Sequence, residues 1–178
     1  LDALDWIASI QLRLYQGDYA GAWERFESLD GELRRLPFAR IQLFRVSRAM
    51  LGTLTAIHNL AGDFQDIWRV RAAARILQLR QEPLPYAEML ASFYDGLLHH
   101  RVAIQGQSES ARKIASEQLA KARDQAIAFH LRPFQLAAED LLSKIETGQS
   151  RGALMQRMRK QGVVRPEAFA RLYTIADE

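Results

Sequence analysis

The sequence predicts an all-α protein, a row of antiparallel helical hairpins with about eight or nine helices in all, and three observations carry that prediction. Apolar residues recur at helical spacing along almost the whole 178-residue chain. No run alternates apolar and polar residues for long enough to compete as a strand. A turn signature also repeats: GDYAGAW at 17–23 returns as GDFQDIW at 62–68, an offset of 45, and more faintly as GQSESAR from Gly106, 44 further on. Each copy reads as a helix, a Gly-polar turn and a second helix, with Ala22, Ile67 or Ala111 five positions after the glycine. One hairpin cannot bury its apolar face alone, so successive hairpins stack into a continuous core and the array curves.

The elements follow in order. Leu4, Trp6, Ile7, Ile10, Leu12 and Leu14 give the first helix a broad apolar face, and Asp2 and Asp5 favour its N-terminus by opposing the partial positive charge there. Gly17 permits the reversal and Asp18 caps the second helix, whose apolar positions include Tyr19, Ala22, Trp23, Phe26, Leu29 and Leu33. Pro37 ends that helix or starts the next, which runs from about Phe38 to Ala61 and stops at Gly62. A fourth helix spans about Asp63 to Gln81, before Pro83 and Pro85; a fifth spans about Tyr86 to Ile104, before the polar turn QGQSES. A sixth runs from about Ser110 to Leu131, ahead of Pro133, and a seventh from about Phe134 to Glu146. Two short helices flank Gly162 and Pro166. The hairpin units are therefore expected at 1–36, 37–82 and 84–132, with 133–148 starting a last unit and 149–178 forming capping helices. The tail has the outline of a helix-turn-helix, but its apolar Leu154, Met155, Met158, Phe169, Leu172 and Tyr173 suit the cap that such an array needs at its end.

Composition narrows the function. With 48% hydrophobic and 25% charged residues the chain is an ordinary globular domain, and without cysteine it has no disulfides or thiolate chemistry. No stretch approaches the roughly 18 apolar residues that a membrane helix needs, and a cytoplasmic location is expected. The chain starts at Leu rather than Met, which reads as a piece of a longer polypeptide. Charge is uneven: residues 1–33 carry a net −5, residues 34–80 a net +7, residues 81–148 a net −2 and residues 149–178 a net +3.

The first hairpin resembles a tetratricopeptide repeat through Trp6, Gly17-Asp18-Tyr19, Ala22 and Phe26. That resemblance implies a right-handed α-superhelix with a concave surface lined by the first helix of each hairpin, here parts of 2–16, 38–61 and 86–104. The repeat of 44 to 45 exceeds the usual length of about 34, so the hairpins are longer than standard. Over nearly the whole chain, GDYAGAWERFESLDGELRRLPFARIQLFRVSRAMLGTLTAI and the ending LMQRMRKQGVVRPEAFARLYTIA resemble the helical-repeat region that follows the catalytic domain in a group of large bacterial serine/threonine protein kinases. The resemblance implies a regulatory or partner-binding extension, with the kinase domain as an attached partner. The catalytic domain itself is not in this sequence: His100-Arg101-Val102 and Asp63-Phe64-Gln65 only look like kinase motifs, since Val102 cannot accept a proton and Gln65 is not the hinge glycine.

No phosphate-cradling P-loop is present, and His58, His99, His100 and His130 are not spaced as zinc ligands. Adjacent Glu139 and Asp140 point about 100° apart on a helix, which does not suit paired carboxylate catalysis. No cofactor and no catalysis by this region are expected. Trp6, Trp23 and Trp68 read as wedges between helices. The candidate partner-binding residues are Arg40, Gln42, Arg45 and Arg48 on the third helix, which would favour an acidic or phosphorylated protein or peptide. Two alternatives stand beside that reading: the arginines pair with the acidic residues at 24–32, or the region is a sensor segment of a bacterial transcription regulator. Nucleic-acid binding is the weaker expectation.

Overall fold

A computed structural model describes residues 3–33, 35, 40–61, 65–148 and 152–171, and among them all regular structure is helical. The helices are α1 (Ala3–Gln16), α2 (Tyr19–Leu33), α3 (Gln42–His58, continued by a tighter turn over Asn59–Ala61), α4 (Gln65–Gln81), α5 (Pro85–Gly106), α6 (Glu109–Ala128), α7 (Arg132–Thr147), α8 (Ala153–Lys160) and α9 (Pro166–Ala170). Each helix packs on the next, and α1 on α3, α3 on α5 and α5 on α7 also adjoin. The chain is thus the expected all-α row of hairpins, α1–α2, α3–α4 and α5–α6, followed by α7.

Local chemistry sets the ends. Gly17 takes a left-handed φ of 81°, with Gly17 N bonded to Leu14 O and Asp18 N to Arg13 O, which satisfies the last carbonyls of α1. Asp18 Oδ1 then accepts from Gly21 N and caps α2. Ser108 does the same for α6, accepting from Ala111 N. The sixth helix ends three residues before its expected Leu131, because His130 adopts a φ of 57° and Leu131 N bonds to Ala126 O. At the third copy of the turn the left-handed residue is Gln107, not Gly106. Gly62 and the two residues after it lie outside the described residues, as do the expected start of the third helix at Phe38 and the expected end of the chain's last helix.

The hairpins are joined by aromatic side chains from matched repeat positions. Trp23 and Trp68, one from each copy of the signature, meet edge to face at 4.9 Å, and the Arg71 guanidinium covers both rings at 4.7 and 4.9 Å. Phe26 lies between Trp6 and Trp23 and presses its ring on Gly52, where a Cβ would meet Phe26 at 2.6 Å. On the other side Phe93 of α5 meets Phe134 of α7 at 5.3 Å. Helices α3 and α5 are the most enclosed: every residue over 51–58 and over 89–94 is buried. A helix apolar on all sides belongs inside a domain. The layer expected to line an open concave surface is therefore covered over these stretches.

The C-terminal helices do more than extend the row. Gly148, at a φ of 74°, turns the chain away from α7, α8 packs on α7, and α9 packs on α1. Arg171 Nη1 donates to Tyr15 O at 3.3 Å, and His58 Nε2 lies 3.3 Å from Arg171 O, which makes that nitrogen the donor. His58 is itself stacked on Tyr19 at 4.3 Å. Because α1 and α3 both finish at this point, residues 152–171 form a strap from the end of α7 back to the ends of α1 and α3.

Two glycines test the packing with opposite signs. At Gly96 a Cβ would meet Leu119 Cγ at 2.7 Å and its backbone N at 3.1 Å, whereas nothing lies within 4 Å of one at Gly31. Gly96→Ala should destabilise the fold by about 1–3 kcal/mol through overpacking. Gly31→Ala, at an exposed position in the last turn of α2, should stabilise it by about 0.5 kcal/mol. Denaturant midpoints of the two variants check both signs.

Candidate partner-binding surface

The arginines singled out from the sequence are placed on two different tasks. Arg45 is forked onto Glu82 in the α4–α5 turn, Nε to Oε1 and Nη2 to Oε2 both at 2.7 Å, while Nη1 donates to Arg40 O at 2.7 Å. The hydrogen bond from Arg45 outweighs burial and holds the Glu82 carboxyl below the usual carboxylate range. Arg48 lies inward, 3.4 Å from Asp30 of α2, and Arg75 of α4 reaches the other oxygen of Asp30 at 3.0 Å. With side-chain exposures of 7% for Asp30 and 13% for each arginine, this group ties α2, α3 and α4 together. Arg40 is exposed and Gln42 half-buried. The four residues do not form one surface: Arg48 meets the acidic stretch 24–32, Arg45 meets Glu82, and Arg40 faces solvent.

A second polar group, which sequence reasoning did not assemble, sits between α4 and α5. His99 Nδ1 lies 2.9 Å from Asp95 O and 3.1 Å from Asp95 Oδ1, and Arg80 Nη2 donates to Asp95 Oδ2 at 2.6 Å. Asp95 and His99 are one turn apart on α5, a spacing visible in the sequence, but Arg80 reaches them only because α4 lies alongside. The hydrogen bond to Asp95 raises the His99 imidazole above its ordinary value, against the opposing effect of burial. Burial pushes the Asp95 carboxyl up, but His99 and Arg80 outweigh it and bring it below its usual range.

This pair lines a groove of about 480 Å³ with Asp66, Arg69, Val70 and Leu98. Beside it α4 shows a second apolar face. Ala72, Ile76 and Leu79 point into the core, yet Ile67, Val70 and Leu77 are 50%, 70% and 56% exposed. At 100° per residue these three fall within about 80° of arc. Single exposed apolar residues need no explanation; here three are aligned along one side of the helix. Ala73 and Ala74, also exposed, fill the gaps in the stripe.

The other candidates are structural. Trp6 and Trp23 are buried and Trp68 is partly buried, as expected of wedges. His58 is held in the joint with the strap, His130 forms a helix end, and Glu139 accepts from Gln135 Nε2 at 2.7 Å. Among the described residues no three His, Asp or Glu side chains converge as metal ligands, and no helix is long and apolar enough to cross a membrane. Comparison of the chain with protein-family models, with curated proteins and with solved structures finds no match in any of the three.

Two measurements check this electrostatics. Asp30→Ala leaves Arg48 and Arg75 facing each other under cover, and should cost about 3 kcal/mol in a denaturant titration. For His99, the raised folded-state pKa means that its stabilisation is fully present below the unfolded value of about 6.5 and is lost as pH rises through the folded value. An NMR titration of the imidazole should therefore find a midpoint above about 6.5, moved downward by Asp95→Asn.

Proposed function

We propose that this chain is a non-catalytic protein-interaction module that regulates or supplies substrates to an attached bacterial serine/threonine protein kinase. The observation that carries the reading is the outward apolar stripe Ile67, Val70 and Leu77 on a helix whose opposite face is already buried. Water contact with that stripe is unfavourable, and a partner helix or strand laid along the α4–α5 groove removes it. Asp66, Arg69, Asp95 and His99 at the rim supply polar anchors that fix the partner's register. The kinase assignment itself rests on the sequence resemblance of 17–57 and 154–176.

The surface differs from the one the arginine spacing first suggested. Arg45 and Arg48 are engaged in holding hairpins together, so an arginine-lined concave face is not the preferred docking site. Buried stretches of α3 and α5 point the same way.

The test uses the full-length parent protein. Replacing Ile67, Val70 and Leu77 together by Glu should leave helical content and melting temperature close to wild type, because all three side chains face solvent. Phosphorylation of the parent's protein substrates should fall about tenfold or more while activity on a short generic peptide is retained. Unchanged activity on protein substrates would overturn the docking role. A parent polypeptide without a Gly-rich loop and an His-Arg-Asp catalytic loop would overturn the kinase assignment alone.

A further inference from the structure

We propose that the outward face of α4 is a homodimer seam, on which α4 of a second copy of this chain lies antiparallel. The inference deepens the interaction-module reading, on which it rests, by naming the partner helix. Ile67, Val70, Ala74, Leu77 and Gln81 follow one another at intervals of 3, 4, 3 and 4 residues, and all five are exposed. That is the spacing of a two-helix seam, in which side chains of one helix fill the gaps between those of the other. Ala72, Ile76 and Leu79, which close the core of a single chain, lie on the opposite side of the same helix.

The occupant follows from the symmetry of the seam. A two-fold contact needs a surface complementary to itself, so that a residue i meeting j is matched by j meeting i. The seam has this property about position 72: Ile67 and Leu77 stand 5 residues to either side of it, and Val70 and Ala74 stand 2 to either side. In an antiparallel pair Ile67 therefore meets Leu77 of the second copy, and Val70 meets Ala74, whose small side chain lets the backbones approach. One flank is built the same way. Asp66 and Arg80 stand 7 residues to either side of Ala73, so each carboxylate falls beside the guanidinium of the other copy. The macrodipoles of the two helices also oppose each other in this direction. A foreign partner requires no such symmetry.

The flanking charges keep the contacts they already have. Asp66 lies 3.6 Å from Arg69 with its side chain 96% exposed, and Arg80, bonded to Asp95, is 40% exposed. A carboxylate accepts at several positions and a guanidinium carries five N–H donors, so the pair between copies adds to these contacts. It sets the register, while the apolar seam supplies the affinity. On the other flank the two copies of Arg71 approach the axis. Each is laid over Trp23 and Trp68 and lies 3.6 Å from Glu27, whose carboxylate brings the compensating charge. The 17 residues of α4 give a contact about 25 Å long and about 10 Å wide. That is less than the roughly 800 Å² per partner of a standard interface, so the dimer is reversible and concentration-dependent.

Sedimentation velocity of this chain from about 1 μM to about 1 mM should show a mass rising from 20.3 kDa toward twice that value. Val70→Glu and Leu77→Glu should each weaken self-association about tenfold or more. Leu12→Glu, on α1 and 56% exposed like Leu77, should associate as wild type, and circular dichroism verifies that each variant is folded. Because the chain has no cysteine, a single introduced thiol reports the register. Ala73→Cys places the two thiols beside the axis, where a short bismaleimide should link them. Gln81→Cys places them about 27 Å apart along the paired helices and should not be linked. A monomer throughout the series, equal losses in Leu12→Glu and Leu77→Glu, or linking of Gln81→Cys as efficient as that of Ala73→Cys overturns the seam. The docking role fails separately: a dimer here, with protein-substrate phosphorylation unchanged when Ile67, Val70 and Leu77 are replaced in the parent, upholds the seam and removes the docking role alone.

Discussion

The architecture depends on how one hairpin grips the next. Neither α1–α2 nor α3–α4 can bury its apolar side alone, and the surface each lacks is provided where Trp23 meets Trp68. An aromatic pair of this geometry is worth about 0.5–1.5 kcal/mol beyond the 150–250 Å² that each ring removes from water. Arg71 closes the pair from above and reaches toward Glu27, 3.6 Å away, so the joint is fixed in direction as well as covered. Phe26 continues it inward, where the missing side chain of Gly52 lets α2 and α3 approach. Asp30, between Arg48 and Arg75, pins the same interface one turn and more further along α2.

The joint also explains why much of the fold was legible in the sequence. The Gly-Asp turn at 17–18 needs a left-handed glycine followed by a carboxylate cap, and both residues do what their chemistry dictates. The recurrence of Trp five to six residues after that turn is the interface itself, written twice. Less legible were helix ends that use no glycine: Gln107 and His130 adopt left-handed backbones that their side chains do not advertise. At the second of these, local turn bonds from His130 N to Ile127 O and from Leu131 N to Ala126 O close the helix, and no glycine marks the place in the sequence.

Charge was the least legible feature. A net +7 over residues 34–80 reads equally well as an anion-binding face or as cations awaiting internal carboxylates. The choice turned on Glu82 and Asp30, which lie 37 and 18 positions from Arg45 and Arg48 and meet them only after folding. The apolar stripe on α4 was hidden for a related reason: a helix with two apolar faces looks, in sequence, like one that is simply buried.

A linear stack of repeats frays, because each end unit has a neighbour on one side only and unfolding can begin there and spread inward. The strap removes that weakness by fastening Arg171 to Tyr15, 156 positions apart, and to His58. Opening either terminus then strips cover from the other, so the unit that melts is the whole array rather than its outermost member. The same fastening makes assembly slower, since a loop spanning most of the chain must close before its last contacts form.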